Sequence, residues 1–296
     1  MGKAFADASA AAREIFEEVD EALGESLSRL MFEGPEEALT LTANAQPAIM
    51  AASLAALAVL EKEGGIRLSE KAGYVAGHSL GEYSALAAAQ ALPLAETARL
   101  LRLRGEAMQA AVPPGEGAMA AILALSIGDV RAIAAEAAGD EICAIANDNA
   151  PGQVVVSGHK AAVERAMALA KAKGARMTVL LPVSAPFHCP LMQPAAEAMA
   201  KALETAALLA PLVPAYANVT AAPVSDPAEI RGLLVTQVTA TVRWRESVEA
   251  MAAAGVTRLV ELGGKVLGPM VKRIAPDIQN LSVQKPDDIE AVLKAL

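Results

Sequence analysis

The chain has 296 residues, a formal net charge of −9 at pH 7, 54% hydrophobic residues and only 3% aromatic ones. That length buries a full core, read as one large domain carrying a smaller one. The acidic balance argues against nucleic acid as a partner, and two distant cysteines, Cys143 and Cys189, give neither a disulfide framework nor a zinc-ligand spacing.

Helical periodicity covers the first third. Ala8 to Leu23 reads as an amphipathic helix, and Asn44 to Glu63 as a long apolar one that ends at Gly64-Gly65. Its nearly apolar run, Ala48 to Leu60, has 13 residues with Ser53 inside. That is too short to span a bilayer and suits a buried helix. Met1-Gly-Lys-Ala-Phe-Ala-Asp lacks the apolar stretch of a signal peptide, so cytoplasmic residence is expected, with no membrane partner.

Ala72 to Ala76 reads as a short buried strand, and Leu80 to Gln90 as a helix. Between them stands Gly77-His-Ser-Leu-Gly81, the sequence form of a nucleophile elbow. A sharp strand-to-helix turn needs small residues on both sides of the serine, where a Cβ would clash. The turn lifts Ser79 Oγ clear at the helix N-terminus, whose unpaired N–H groups can hold an oxyanion. The apolar lead-in and the following helix favour this reading over an ordinary Gly-Ser turn.

A further helix, Leu94 to Ala111, stops at Pro113-Pro114-Gly115, the best domain boundary in the chain. Beyond it the pattern changes. Strand Gly117–Leu125, helix Ile127–Ala138, strands Ile142–Ala146 and Gln153–Ser157, helix Lys160–Ala172 and strand Met177–Leu181 follow in turn. That β-α-β-β-α-β order predicts a ferredoxin-like insert over residues 115–182. The large domain is then discontinuous, residues 1–114 and 183–296. Its second part reads as helix Met192–Leu209, a strand near Val213–Asn218, helices Asp226–Thr236 and Val242–Ala254, strand Arg258–Leu262, and a final helix and tail.

A serine hydroxyl needs a base at neutral pH, and the chain offers three histidines. His78 adjoins the nucleophile, and adjacent side chains in an extended run point to opposite faces, so a packed or wall position suits it. His159, in Ser157-Gly-His-Lys160, reads as a solvated loop residue of the insert. His188, in Ser184-Ala-Pro-Phe-His-Cys189, sits where the chain re-enters the large domain, a place where clefts form. It is the base by elimination. No single Asp or Glu stands out to orient it, so a triad and a dyad completed by a carbonyl both fit.

Arg104, in Leu101-Arg-Leu-Arg-Gly105, carries a fork suited to a carboxylate, although most helical arginines are surface ion-pair partners. Gly263-Gly264-Lys265-Val266 lacks the other residues of a phosphate loop, and no dinucleotide fingerprint or metal-binding motif occurs, so no resident cofactor or metal is expected. Lys265, Lys272 and Arg273 form a local basic patch able to dock an acidic protein.

Several ordered motifs carry a resemblance that runs nearly end to end. They are Ala45-Gln-Pro-Ala48, Gly77-His-Ser-Leu-Gly-Glu-Tyr-Ser-Ala-Leu86, Arg104-Gly105, Gly117-Ala-Met-Ala-Ala-Ile122, Asn149-Ala-Pro-Gly-Gln-Val-Val155, Ser184-Ala-Pro-Phe-His188, Val242-Arg-Trp-Arg245 and Gly264-Lys-Val-Leu267. The sequence resembles bacterial malonyl-CoA:acyl-carrier-protein transacylases of fatty-acid synthesis. The resemblance implies an α/β fold, with an α/β-hydrolase-like large domain and a ferredoxin-like insert. It also implies a ping-pong transfer of malonyl from malonyl-CoA to the phosphopantetheine thiol of acyl carrier protein, by a monomer. In it Ser79 matches the nucleophile, His188 the general base, the Leu80 N–H an oxyanion donor and Arg104 the partner of the malonyl carboxylate. Gln237 matches the position whose backbone carbonyl holds the histidine, Gln46 and Asn149 match pocket-lining positions, and Phe187 matches bulk that leaves no room for an α-methyl group.

One departure stands out. The family opens with an apolar strand and a Phe-Pro-Gly-Gln-Gly-Ser-Gln loop whose glutamine supplies a second oxyanion N–H, and Met1-Gly-Lys-Ala-Phe aligns just after it. Losing such a donor costs roughly a hundred- to a thousandfold in rate, and a lost sheet strand exposes unpaired backbone. A start assigned too far downstream is the preferred expectation, and a truncated, weakly active protein the next. Two other functions compete with the transacylase: a serine esterase or thioesterase, which has no need of Arg104, and an inactive binding protein.

Overall fold

The computed structural model describes residues 1–296, with nine strands in three separate sheets enclosed by helices. In chain order the strands are β1 Val75–Ala76, β2 Gly117–Leu123, β3 Cys143–Ala150, β4 Gln153–His159, β5 Met177–Leu180, β6 Ala215–Ala217, β7 Ala222–Val224, β8 Arg258–Leu262 and β9 Gln279–Val283. β1 runs parallel to β6, which pairs antiparallel with β7. β8 and β9 form a parallel pair. The remaining strands make an antiparallel sheet in the order β3-β4-β2-β5, the ferredoxin-like arrangement, with helices Ile127–Ala138 and Lys160–Ala172 packed on it.

Helix Thr42–Lys62 is the axis of the main core. Its 21 residues are long and apolar enough to cross a membrane by length and composition, beyond what the 13-residue run suggests, yet most of it is buried by its neighbours. Ala48, Ala51, Ala55 and Ala56 are fully enclosed, and their small side chains let helices Ala10–Leu23 and Leu94–Ala110 pack against it. This is why an alanine-rich, aromatic-poor chain builds a dense core. Larger anchors such as Met50 and Leu60 each contribute about 1.5–3 kcal/mol. One contact depends on glycine: a Cβ at Gly105 would lie 2.6 Å from both the Thr42 carbonyl oxygen and the Ala43 Cα. Its absence lets helix Leu94–Ala110 close on the start of helix Thr42–Lys62.

The ferredoxin-like unit is clamped to the rest by β3. The Asp148 N–H donates to the Val242 carbonyl at 3.0 Å, and the Val242 N–H donates to the Ala146 carbonyl at 2.9 Å. The Asp148 carboxylate, almost fully buried, takes bonds from Arg245 Nε at 3.0 Å and Nη2 at 2.8 Å.

Several elements differ from the sequence reading. The helix expected from Ala8 breaks at Ser9, whose Oγ caps helix Ala10–Leu23 by accepting the Ala12 N–H at 3.2 Å. The strand over Ala72–Ala76 shortens to β1. The strand over Ile142–Ala146 instead runs to Ala150, with register shifts at Ile145/Asn147 and Asp148/Ala150 that keep it paired while re-aiming its side chains. The final helix and tail contain β9, which pairs with β8, between helices Gly268–Ile274 and Asp288–Ala295.

Candidate active site

Gly77 leaves β1 in a turn so tight that a Cβ there would stand 1.9 Å from the Gly81 carbonyl oxygen. At Gly81 an added Cβ would meet nothing within 4 Å. The steric requirement therefore falls on one side of the serine, not both as expected. Ser79 itself takes φ 55° and ψ −112°, a conformation costing a non-glycine residue about 1–3 kcal/mol. Two bonds from one side chain hold it: Asn218 Oδ1 accepts the Ser79 N–H at 2.7 Å, and Asn218 Nδ2 donates to the Gly77 carbonyl at 2.7 Å. The next N–H, that of Leu80, opens helix Leu80–Ala88 and has no partner, which suits it to an oxyanion.

His188 lies across the cleft, also at positive φ (57°). Its Nε2 is 2.8 Å from Ser79 Oγ and its Nδ1 is 2.9 Å from the Gln237 carbonyl oxygen. A carbonyl only accepts, so Nδ1 carries the proton and Nε2 offers a lone pair to the serine hydroxyl. Of the alternatives left open by the sequence, the carbonyl is the one present. Burial, and then the Arg104 charge, push the His188 pKa down to about 3, so the imidazole is neutral at physiological pH.

Arg104 is the largest fully buried side chain, 1% exposed, against the ordinary expectation for a helical arginine. Its Nη1 donates to Gln46 Oε1 at 2.6 Å, and its Nη2 to Gln237 Oε1 at 2.9 Å and to Ser79 Oγ at 3.1 Å. Its Nε has no partner, and the guanidinium lies 5.7 Å from the Tyr83 ring centroid. Every bond it makes goes to an uncharged oxygen. Burial lowers its pKa, yet a guanidinium stays charged. A dry cation beside a serine hydroxyl can pair with an anionic group delivered to that hydroxyl.

The structure brings Ser79, Leu80, His188, Gln237, Arg104 and Gln46 together. Asn149 stands one contact further out, its Oδ1 2.8 Å from Nε2 of His78, whose ring lies 5.9 Å from that of Trp244. His78 is thus a wall residue, and burial lowers its pKa. Phe187 is half-buried and packs against the main core and against the cluster of Met119, Ala146 and Val155. His159 is no solvated loop residue: it ends β4, and its Nδ1 accepts the Ile142 N–H at 2.9 Å. Arg273, of the expected basic patch, is exposed and donates to two neutral oxygens, Gln153 Oε1 at 2.9 Å and the Pro151 carbonyl at 2.7 Å.

Two residues of the site escaped the sequence reading. Asn218 follows β6 with no motif around it. Glu82, three residues after Ser79, is 3% exposed, and its Oε2 accepts the Asn218 N–H at 3.0 Å and Gln237 Nε2 at 2.8 Å. Burial pushes its pKa up to about 7, although these two bonds and the Arg104 charge pull the other way. The spacing Ser79-Leu-Gly-Glu82, that of a helix-capping box, was its available signal.

The acyl transferase domain family matches residues 1–264. The malonyl CoA-acyl carrier protein transacylase of Bacillus subtilis (strain 168) is 42% identical, over 100% of this chain and 92% of that protein. Among solved structures, the acyl-carrier-protein-S-malonyltransferase from Bartonella henselae matches at TM-score 0.97 and 55% identity, covering 100% of this chain and 94% of that one. A type II PKS acyl-carrier protein in complex with its malonyl-transacylase matches at TM-score 0.96 and 39% identity, covering 100% and 95%. The mixed α/β fold, with its ferredoxin-like unit carried on an α/β-hydrolase-like body, is the fold of these structures.

Proposed function

The chain belongs to the acyl transferase domain family, and on that premise we propose that it moves malonyl from malonyl-CoA to the phosphopantetheine thiol of acyl carrier protein through a malonyl–Ser79 intermediate. The observation that carries this reading is the buried Arg104 guanidinium, bonded only to neutral oxygens and 3.1 Å from Ser79 Oγ.

In the first half-reaction His188 Nε2 takes the hydroxyl proton as Ser79 Oγ attacks the thioester carbonyl. The tetrahedral oxyanion turns to the Leu80 N–H at the helix start. Collapse breaks the C–S bond, and the proton on Nε2 goes to the departing CoA sulfur. The Gln237 carbonyl steadies the imidazolium through Nδ1–H, the part a carboxylate plays in a triad. In the second half-reaction the carrier thiol gives its proton to Nε2 and attacks the ester, and Ser79 leaves with that proton.

Arg104 supplies the choice of acyl group. Gln46 and Gln237 hold its fork in place, and a malonyl carboxylate supplies the direct ionic partner that its neutral contacts do not. An acetyl group leaves the buried cation unpaired, which a site of this kind penalises. Phe187, one residue before the base, walls the pocket against an α-methyl group, and Asn149 shapes it through His78. This chemistry needs no resident cofactor or metal. A cytoplasmic setting belongs to the same reading, supported by two free cysteines, Cys143 and Cys189.

The test is a chase. Enzyme loaded from malonyl-CoA and freed of excess donor is mixed with holo acyl carrier protein, and malonyl is expected on the carrier thiol. Release as free malonate at the same rate with and without carrier would make the protein a thioesterase.

A further inference from the structure

We propose that Glu82 and Asn218 are the positioning residues of this site: Glu82 anchors the Asn218 backbone and the Gln237 side chain, and Asn218 holds the Ser79 peptide in the conformation that presents Oγ to His188. This rests on Ser79 being the nucleophile.

The first support is a capping box whose bonds have been exchanged. In such a box the serine hydroxyl accepts a helix N–H, and the glutamate three residues on returns to the serine N–H. Here Ser79 Oγ makes no capping bond and instead faces His188 at 2.8 Å and Arg104 at 3.1 Å. The Ser79 N–H is taken by Asn218 Oδ1 at 2.7 Å, and the Glu82 carboxylate is turned to the Asn218 N–H at 3.0 Å. Replacing both halves of the box leaves the hydroxyl free for chemistry.

The second support is the ladder. β1 and β6 pair in parallel up to Ala76 and Tyr216. Beyond that point the Asn218 side chain stands in for a peptide group, donating to the Gly77 carbonyl and accepting from the Ser79 N–H, with His78 between them. An amide has the one donor and one acceptor that this needs; a carboxylate would set an oxygen against the Gly77 carbonyl.

The third support is the reach of Glu82. The oxygen that anchors Asn218 also accepts Gln237 Nε2 at 2.8 Å. That bond, together with the one Gln237 Nε2 donates to the Ser79 carbonyl at 3.0 Å, turns the oxygen end of the Gln237 amide to Arg104, and the Gln237 backbone carbonyl holds His188 Nδ1. One carboxyl group therefore ties the nucleophile's peptide to the support of the base.

The experiment measures single-turnover modification of Ser79 by malonyl-CoA and, separately, by phenylmethylsulfonyl fluoride, which sulfonylates serine with loss of fluoride and needs no carboxylate site. Thermal melts report the folded fraction. Glu82→Ala and Asn218→Ala are expected to slow both reagents by about a hundredfold, the scale of a misplaced reacting group, and Asn218→Ala, which leaves the Arg104 contacts intact, to do so with the half-saturating malonyl-CoA concentration little changed. Glu82→Gln keeps an acceptor oxygen in place and is expected to restore the rate. Folded alanine variants reacting at the wild-type rate, or Glu82→Gln as slow as Glu82→Ala, overturn the proposal. If the alanine variants do not fold, Asn218→Asp decides. It keeps the acceptor for Ser79 but repels the Gly77 carbonyl, and a wild-type rate for it also overturns the proposal. Wild-type Ser79 resistant to both reagents would overturn the nucleophile reading, and this one with it.

Discussion

Arg104 Nη2 stands 3.1 Å from Ser79 Oγ, so in the proposed reaction the group that selects the acyl chain touches the atom that carries it. Selection and chemistry are therefore coupled through one contact. A carboxylate that pairs with the guanidinium is delivered within reach of the nucleophile, and an acyl group without one leaves a desolvated cation beside the reaction.

Arg104→Ala is expected to lower malonyl loading by at least about a hundredfold, the scale for removing one partner of a buried charge pair. Acetyl loading should be kept or should rise. Parallel single-turnover loading with malonyl-CoA and acetyl-CoA measures both. Equal loss of the two would show that Arg104 serves the chemistry rather than the choice of acyl group.

His188 predicts an unusual pH profile. An ordinary histidine, with a pKa near 6.5, would be almost wholly protonated at pH 5 and the acylation rate would fall roughly thirtyfold from its plateau. With the pKa held at about 3 by burial and Arg104, the neutral base persists. The acylation rate should therefore stay near its plateau from pH 8 to pH 5 in a stopped-flow measurement.

Glu82 and His188 pull stability in opposite directions. The folded Glu82 keeps its proton up to about pH 7, while the unfolded chain loses it above the ordinary value of 4.5. The folded state binds more protons in that window, so this contribution is full below 4.5 and is lost as pH rises toward 7. His188 contributes stability above its unfolded value of 6.5, and that is lost as pH falls toward 3. Comparing Glu82→Gln with wild type isolates the first effect. The variant's melting temperature should gain on wild type as pH rises from 4.5 to 7, and a constant difference would contradict it.

The elbow predicts an asymmetry between its glycines. Gly77→Ala places a methyl 1.9 Å from the Gly81 carbonyl oxygen and should destroy the turn, whereas Gly81→Ala meets nothing within 4 Å. Gly81 lies in a helix, so alanine there should keep or raise stability, by up to about 1 kcal/mol. Thermal denaturation of the two variants checks this.

How far the site could be read in advance depended on whether each residue's environment is local. Ser79 is marked by its own turn, and His188 emerges because the chain has only three histidines. The burial of Arg104 is a tertiary event. It follows from Gly105 letting one helix close on another, which no window around Arg104 records. Asn149 reaches the site only because β3 runs past Ala146 with two register shifts, where a short strand followed by a loop is the simpler reading. Asn218 is invisible for the same reason: its role comes from the parallel pairing of β1 with β6, strands far apart in the chain. β7 is only three residues long with Pro223 inside it, β9 is largely polar, and only their partners define them as strands.

The most direct test of the account is the intact mass of the folded protein after brief exposure to malonyl-CoA in the presence of excess acetyl-CoA. Wild type should gain a single malonyl unit, mapped by peptide sequencing to Ser79, and Ser79→Ala should gain none. A well-folded wild-type chain that stays unmodified, or a malonyl adduct that persists in Ser79→Ala, would contradict it.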